Sequence, residues 1–256
     1  MKLDYYKTSE DFVKSERFTS WKKGFVETEL WSQLTREYDY ILDRVDFTWS
    51  EEWNTFTLPR KLIVSKFTSL MGFYFIENYL NKEEQIVDMG CGINYWKNYY
   101  DVHGVDPLQF DHAVNEYEVD ITSVIGHDPF SSLTYFQDGS SDVPTVVSEH
   151  PLKNQLSFYE RNRGKFKNIM SQCALHFDSD IERVLEDFYG LLGSGGKGFA
   201  SLNLQRLYAS DKSRSLNRQL DKLRSMEDII EEVVVMEDPN DSPLDGNLHI
   251  IFKETA

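Results

Sequence analysis

Between about Thr28 and Val45, apolar residues recur every three or four positions, and Trp31, Leu34, Tyr38, Ile41, Leu42 and Val45 fall on one face of a helix. That face is read as core packing. A second helix is predicted from Pro59, whose fixed φ suits a first helical turn, to about Leu80, and it ends at Asn81. Its apolar side carries Leu62, Ile63, Phe67, Leu70, Met71, Tyr74 and Phe75. Trp49 and Trp53 lie in the polar stretch between the two helices and are read as sealing the domain edge, with covering a ligand as the alternative.

Beyond Asn81 the pattern shortens. Ile86-Val87 reads as a short buried strand, and Val102-His103-Gly104-Val105 as a second. Ser179 and Glu182 stand at capping-box spacing ahead of Val184, Leu185, Phe188, Leu191 and Leu192, with Gly193 placed to end that helix. Gly195-Gly196 turns into a strand over Gly198–Asn203. The segments Glu231–Glu237 and Asn247–Phe252 flank the turn signal Asp245-Gly246 and predict a terminal hairpin. Strands alternating with helices make this an α/β chain.

Chemistry concentrates after the first strand, in Asp88-Met89-Gly90-Cys91-Gly92-Ile93-Asn94. Gly90 and Gly92 let the chain turn sharply and approach a ligand with no Cβ in the way. Asp106-Pro107 closes the second strand, where a carboxylate can accept hydrogen bonds from two ribose hydroxyls. Asp106 follows Gly90 by 16 positions, against roughly 20 in a dinucleotide-binding unit, so the connecting helix is short.

Ile86-Val87-Asp88-Met89-Gly90-Cys91-Gly92 followed by Gly104-Val105-Asp106-Pro107 resembles the first motifs of the class I S-adenosylmethionine-dependent methyltransferases. Asn94 stands where the fuller form of the turn has a third glycine. The resemblance implies a doubly wound, mostly parallel seven-stranded sheet with a terminal antiparallel hairpin, and S-adenosylmethionine as cofactor. It places Asp88, Gly90, Cys91, Gly92, Asp106 and Pro107 around that cofactor. It also puts Asp120 and Ile121, at the end of a third strand, beside the adenine. Lys167–Phe177 looks like the fourth strand and its loop, where Ser171 and Gln172 would meet cofactor or substrate. On this reading residues 1–58 are an amino-terminal helical extension and 59–256 the methyltransferase-like domain. Residues 121–166 within it hold a crossover helix and an insertion that could act as a lid.

Methyl transfer is an in-line displacement that chiefly needs alignment, with a base for some acceptors. His176, after the fourth strand, is the candidate base, its alternative being a histidine packed beside Phe177. Cys173 lacks the preceding Pro of the cytosine-C5 methyltransferases and is not assigned as a nucleophile. Ser171-Gln172-Cys173-Ala174 replaces the Asp/Asn-Pro-Pro-Tyr/Phe pattern of amino-directed DNA methyltransferases. His127, Asp128 and His150 lack helical metal-ligand spacing, and no metal site is expected.

Composition narrows the partners. With 27 basic and 43 acidic residues the net charge is -16, which opposes binding to nucleic acid. One basic segment, Arg206–Arg224, runs against that trend and is read first as a solvated helix face or loop, with contact to phosphates or a carboxylate-bearing substrate as the alternative, whereas the acidic carboxyl-terminal region suits protein docking. A hydrophobic content of 40% excludes a disordered tail. No apolar run of membrane-spanning or signal-peptide length occurs, and the 2 cysteines suit a reducing compartment, so no membrane association and a cytoplasmic location are expected. Three functions follow: a methyltransferase for a small molecule or protein side chain, a methyltransferase-like fold kept as a binding or structural module, and an RNA or DNA methyltransferase.

Overall fold

The computed structural model describes residues 1–33, 66–90, 96, 99–105, 158–172, 174–175, 180–204, 207–208, 215–237 and 246–256, and of 66–70 the backbone alone. Among them run the strands β1 (Lys2–Tyr6), β2 (Ile86–Met89), β3 (Val102–Val105), β4 (Phe166–Gln172), β5 (Leu192–Asn203), β6 (Ile230–Met236) and β7 (Asn247–Phe252). They form one sheet in the order β1-β6-β7-β5-β4-β2-β3. Neighbours are parallel except β7, which is antiparallel to both β5 and β6. The helices with described bounds are α1 (Ser9–Lys14), α2 (Glu16–Phe25), α3 (Lys66–Tyr79), α4 (Phe158–Asn162), α5 (Ile181–Gly190) and α6 (Leu216–Ser225).

This is the α/β class expected, a mostly parallel seven-stranded sheet with a reversed hairpin strand. One of its seven strands differs from expectation. The third strand around Val119–Ile121 lies outside the described residues, while β1 comes from the segment read as a helical extension. β1 has no buried apolar row to announce it. It is held instead by its parallel ladder to β6 and by charged side chains, Lys2 standing opposite Glu232.

Strand alternation divides the core between the two faces of the sheet. On one face Ile86, Val102, Met170, Phe199 and Ile251 pack against α1, α2 and α3 through Phe12, Phe18, Phe73 and Phe75. On the other, Val87, Ile169, Ala200, Val233 and Ile250 meet α4, α5 and α6. α3 differs from its amphipathic reading, since residues 71–76 are all buried. It is sandwiched, with Phe75 5.7 Å from Phe199 of the sheet and Tyr74 5.2 Å from Phe12 of α1. The two short amino-terminal helices are set by caps. Thr8 and Asp11 form a reciprocal capping box for α1, and the Ser15 side chain accepts the Phe18 N–H of α2.

Two boundaries move relative to the sequence reading. α5 is capped by Asp180, whose carboxylate accepts the Arg183 N–H, one residue beyond Ser179. Gly193 does not end that helix, for α5 stops at Gly190 and β5 already begins at Leu192. The glycines are taken up inside the strand. Between Phe166↔Leu192 and Asn168↔Lys197, β4 advances two residues while β5 advances five, and Gly195 enters the left-handed region at φ 70 to absorb the excess. The hairpin strands β6 and β7 form as expected. Most of the Thr28–Val45 helix, the start of the Pro59 helix, Trp49, Trp53 and residues 121–157 of the insertion lie outside the described residues. Residues 29–33 are helical, with Thr28 Oγ1 accepting the Trp31 N–H.

Candidate functional site

The chain leaves β2 for β3 on one side and later returns as β4 on the other, so the carboxyl ends of β2 and β4 bound a switch-point crevice. β2 is buried throughout, and the turn out of it begins at Gly90 with φ 78, a conformation that costs an L-residue with a Cβ. The Gly90 N–H donates to Val105 O at 2.6 Å, which ties the start of the turn to the end of β3. Asp88, 1% exposed, stands between Gly104 of β3 and Met170 of β4.

From the other side, β4 reaches into the same crevice. Ser171 Oγ donates to Met89 O at 2.7 Å and locks the end of β2 to β4. Gln172, the last residue of β4, accepts from the indole N–H of Trp96 at 2.9 Å. At the opposite, amino end, buried Asn168 accepts the Asn81 N–H at 2.9 Å and donates to Asn81 O at 2.8 Å, fixing the entry into β2. The strand end that presents Gly90 is therefore held from two sides, by β3 through Val105 and by β4 through Ser171.

Of the residues singled out in the sequence, Asp88, Gly90, Ser171 and Gln172 lie at or beside the carboxyl ends of β2 and β4. Cys91, Gly92, Asp106, Pro107, Asp120, Ile121 and the candidate base His176 lie outside the described residues, as do Cys173, His127, Asp128 and His150. Cys91 follows Gly90 directly, and Asp106 follows Val105, the last residue of β3.

A second polar pair was not anticipated. In register with Gln172, Ser201 of β5 and His249 of β7 form a row beneath α3. Ser201 Oγ lies 2.7 Å from His249 Nδ1, and the imidazole stacks on Phe75 with ring centroids 4.2 Å apart. Among the described residues Nε2 has no hydrogen-bond partner, and burial lowers the His249 pKa to about 3, so the ring is neutral at physiological pH. The signal in the sequence was a single histidine inside the otherwise apolar run Leu248–Phe252. Among the described residues, no group of three or more His, Cys, Asp or Glu could hold a metal ion. None of the described helices is long and apolar enough to cross a membrane.

No protein-family model matches this sequence, and no curated protein matches it. Solved structures with a similar fold are methyltransferases. A S-adenosylmethionine-dependent methyltransferase of Methanosarcina mazei aligns over 71% of this chain and 98% of its own, at 16% identity and a TM-score of 0.40. Phosphoethanolamine N-methyltransferase 2 of Haemonchus contortus, in complex with S-adenosyl-L-methionine, aligns over 84% of this chain and 59% of its own, at 12% identity and a TM-score of 0.45. A Haloferax volcanii methyltransferase solved with the activator Trm112 covers 72% of this chain and 89% of its own, at 12% identity and a TM-score of 0.39. Likenesses this distant carry no functional argument.

Proposed function

We propose that the crevice between β2 and β4 binds S-adenosylmethionine and that the protein transfers a methyl group to a small molecule or a protein side chain. The observation that carries this reading is Gly90. It turns in the left-handed region at the end of a fully buried strand, at the switch point of a doubly wound sheet, where backbone can approach a ligand closely. The residues present fit such a ligand. Asp88 supplies a carboxylate within the crevice, while Cys91 and Gly92, which follow Gly90 in the sequence, are assigned to the same ligand. Asp106 and Pro107, joined directly to β3, are assigned to the ribose, and Asp120 and Ile121 to the adenine. The bound cofactor supplies an electrophilic methyl group on a sulfonium.

The chain then has to align an acceptor with that methyl and exclude water. Ser171 and Gln172 are assigned to the wall facing the cofactor, and His176 to taking a proton from an acceptor hydroxyl or amine. The residue 121–166 insertion is assigned as the cover. Titration calorimetry of the full chain with S-adenosylmethionine and S-adenosylhomocysteine tests the reading. Micromolar binding is expected, and ligand at 100 times its Kd should stabilise the fold by about 2.7 kcal/mol. A folded protein that binds neither at millimolar concentration would overturn it and leave the fold as a binding or structural module.

A further inference from the structure

β1 stands at one end of the sheet, with β6 on one side and, among the described residues, no strand on the other. Tyr6 O accepts the Glu237 N–H, so by strand alternation the backbone groups of Lys2, Asp4 and Tyr6 face β6 and those of Leu3 and Tyr5 face the open edge. The side chains divide the same way. Lys2 and Asp4 turn toward the helices, where Lys2 donates to Asp4 and Glu232, and Asp4 accepts from Arg17. Leu3 and Tyr5 lie on the other face, 37% and 51% exposed, and they are the large apolar side chains left exposed among the described residues. The Tyr5 hydroxyl donates to Glu237, just past β6, which fixes that ring. An open edge of this kind templates another strand unless a proline or a bulge interrupts it, and β1 has neither, its register running without a shift from Lys2↔Glu232 to Tyr6↔Met236.

The strand is also complementary to itself. Laid antiparallel with Leu3 opposite the partner's Leu3, it brings Lys2 opposite the partner's Asp4 on either side of the axis, which extends the Lys2–Asp4 pairing across the edge, and Leu3 exchanges both backbone hydrogen bonds with its counterpart. Shifted so that the axis falls on Asp4, the same pairing would set two carboxylates against each other. Residues 1–33 carry six basic and six acidic side chains, so the charge of -16 resides elsewhere in the chain and two copies meet here at a locally neutral segment. We propose that β1 is an interface for a second copy of this chain: two copies pair edge to edge, antiparallel about Leu3, into one continuous sheet. β1 and the β2–β4 crevice lie toward opposite ends of the strand order, so pairing leaves the crevice of each copy open, and the inference does not depend on what binds there. An edge of five residues is a small interface, so the dimer is weak and forms with rising concentration.

The test is sedimentation equilibrium of the full chain from about 5 to about 500 µM, over which the average mass should climb from that of a monomer toward twice that value. Leu3→Lys and Leu3→Glu each place like charges opposite one another on the symmetry axis and should stay monomeric across the range. Their equimolar mixture sets opposite charges there and should dimerise again. In the parent, amide exchange read by NMR should slow with concentration at Leu3 and Tyr5, whose N–H groups face the open edge, and not at Asp4 and Tyr6, whose N–H groups face β6. A parent that is monomeric throughout, variants that associate as the parent does, a mixture that stays monomeric, or Leu3 exchange that ignores concentration overturns the proposal. Both variants alter an exposed side chain, so the urea midpoints of the dilute proteins should match the parent. Where a variant does not fold, the exchange measurement on the parent still decides.

Discussion

His249 shows how much one side chain can impose on a fold. Its ring is enclosed between Phe75 and the sheet, with Nδ1 bonded to Ser201 and Nε2 without a partner among the described residues, so protonation would place a charge in apolar surroundings. Burial lowers its folded pKa to about 3, whereas in the unfolded chain the ordinary value near 6.5 holds. Unfolding therefore takes up a proton between those values. Stability is untouched by this residue above pH 6.5 and falls by about 1.4 kcal/mol per unit below it. His249→Gln, which keeps a partner for Ser201 and cannot titrate, should lose about 1.4 kcal/mol less than the parent between pH 7.5 and 5.5 in urea unfolding. Equal losses in the two proteins would show that the imidazole reaches water.

At the scale of elements, the amino-terminal strand depends on one carboxylate. Glu232 of β6, with a side chain 9% exposed, accepts from Lys2 of β1 at 2.8 Å, from Arg17 of α2 at 2.8 Å and from the Tyr79 hydroxyl of α3 at 3.0 Å. Arg17 also donates to Asp4 of β1 and to Tyr74 and Tyr79 of α3. Burial alone would raise the Glu232 pKa, but the hydrogen bonds from Arg17, Lys2 and Tyr79 outweigh it and hold the group below its ordinary value. Its contribution is present above the ordinary carboxylate range and is lost as pH falls through the lowered folded value. Glu232→Gln leaves Asp4 as the one charged partner of Arg17 among the described residues and should cost about 2–3 kcal/mol. The β1 amides should then exchange hydrogen fastest among the strands, and unchanged β1 protection would contradict this role. The same network explains what the sequence revealed and what it hid. β2, β3, α5 and the β6–β7 hairpin were legible because each carries its own burial pattern or turn residue, such as Gly246 at φ 84. β1 was not, because its Lys2, Asp4 and Tyr5 find partners more than two hundred residues away or across a helix, and such pairing leaves no local period. At the crevice, Asp88 and Gly90 were legible from strand and glycine chemistry. The Ser201–His249 pair was missed, since a lone histidine in an apolar run reads as ordinary packing until α3 is laid across the sheet.

For the whole molecule the governing quantity is its charge of -16. Within the basic segment, α6 buries Leu220 and Leu223 toward the core, and Arg224 is paired with Asp221 at 2.6 Å. A polyanion approaching this surface meets a repelling field, while a small cation is drawn in. The two probes of the crevice differ in this respect. S-adenosylmethionine carries a sulfonium and an ammonium against one carboxylate and is a net cation at neutral pH, whereas S-adenosylhomocysteine is neutral overall. Their affinities should therefore respond differently to ionic strength. Raising salt from about 0.05 M to 0.5 M shortens the screening length from more than 10 Å to a few ångström, which removes the long-range attraction but leaves contacts inside the crevice largely intact. S-adenosylmethionine should weaken about two- to threefold across that range, and S-adenosylhomocysteine should hold within experimental scatter. Parallel salt dependence of the two would show that the acidic surface does not extend its field to the crevice.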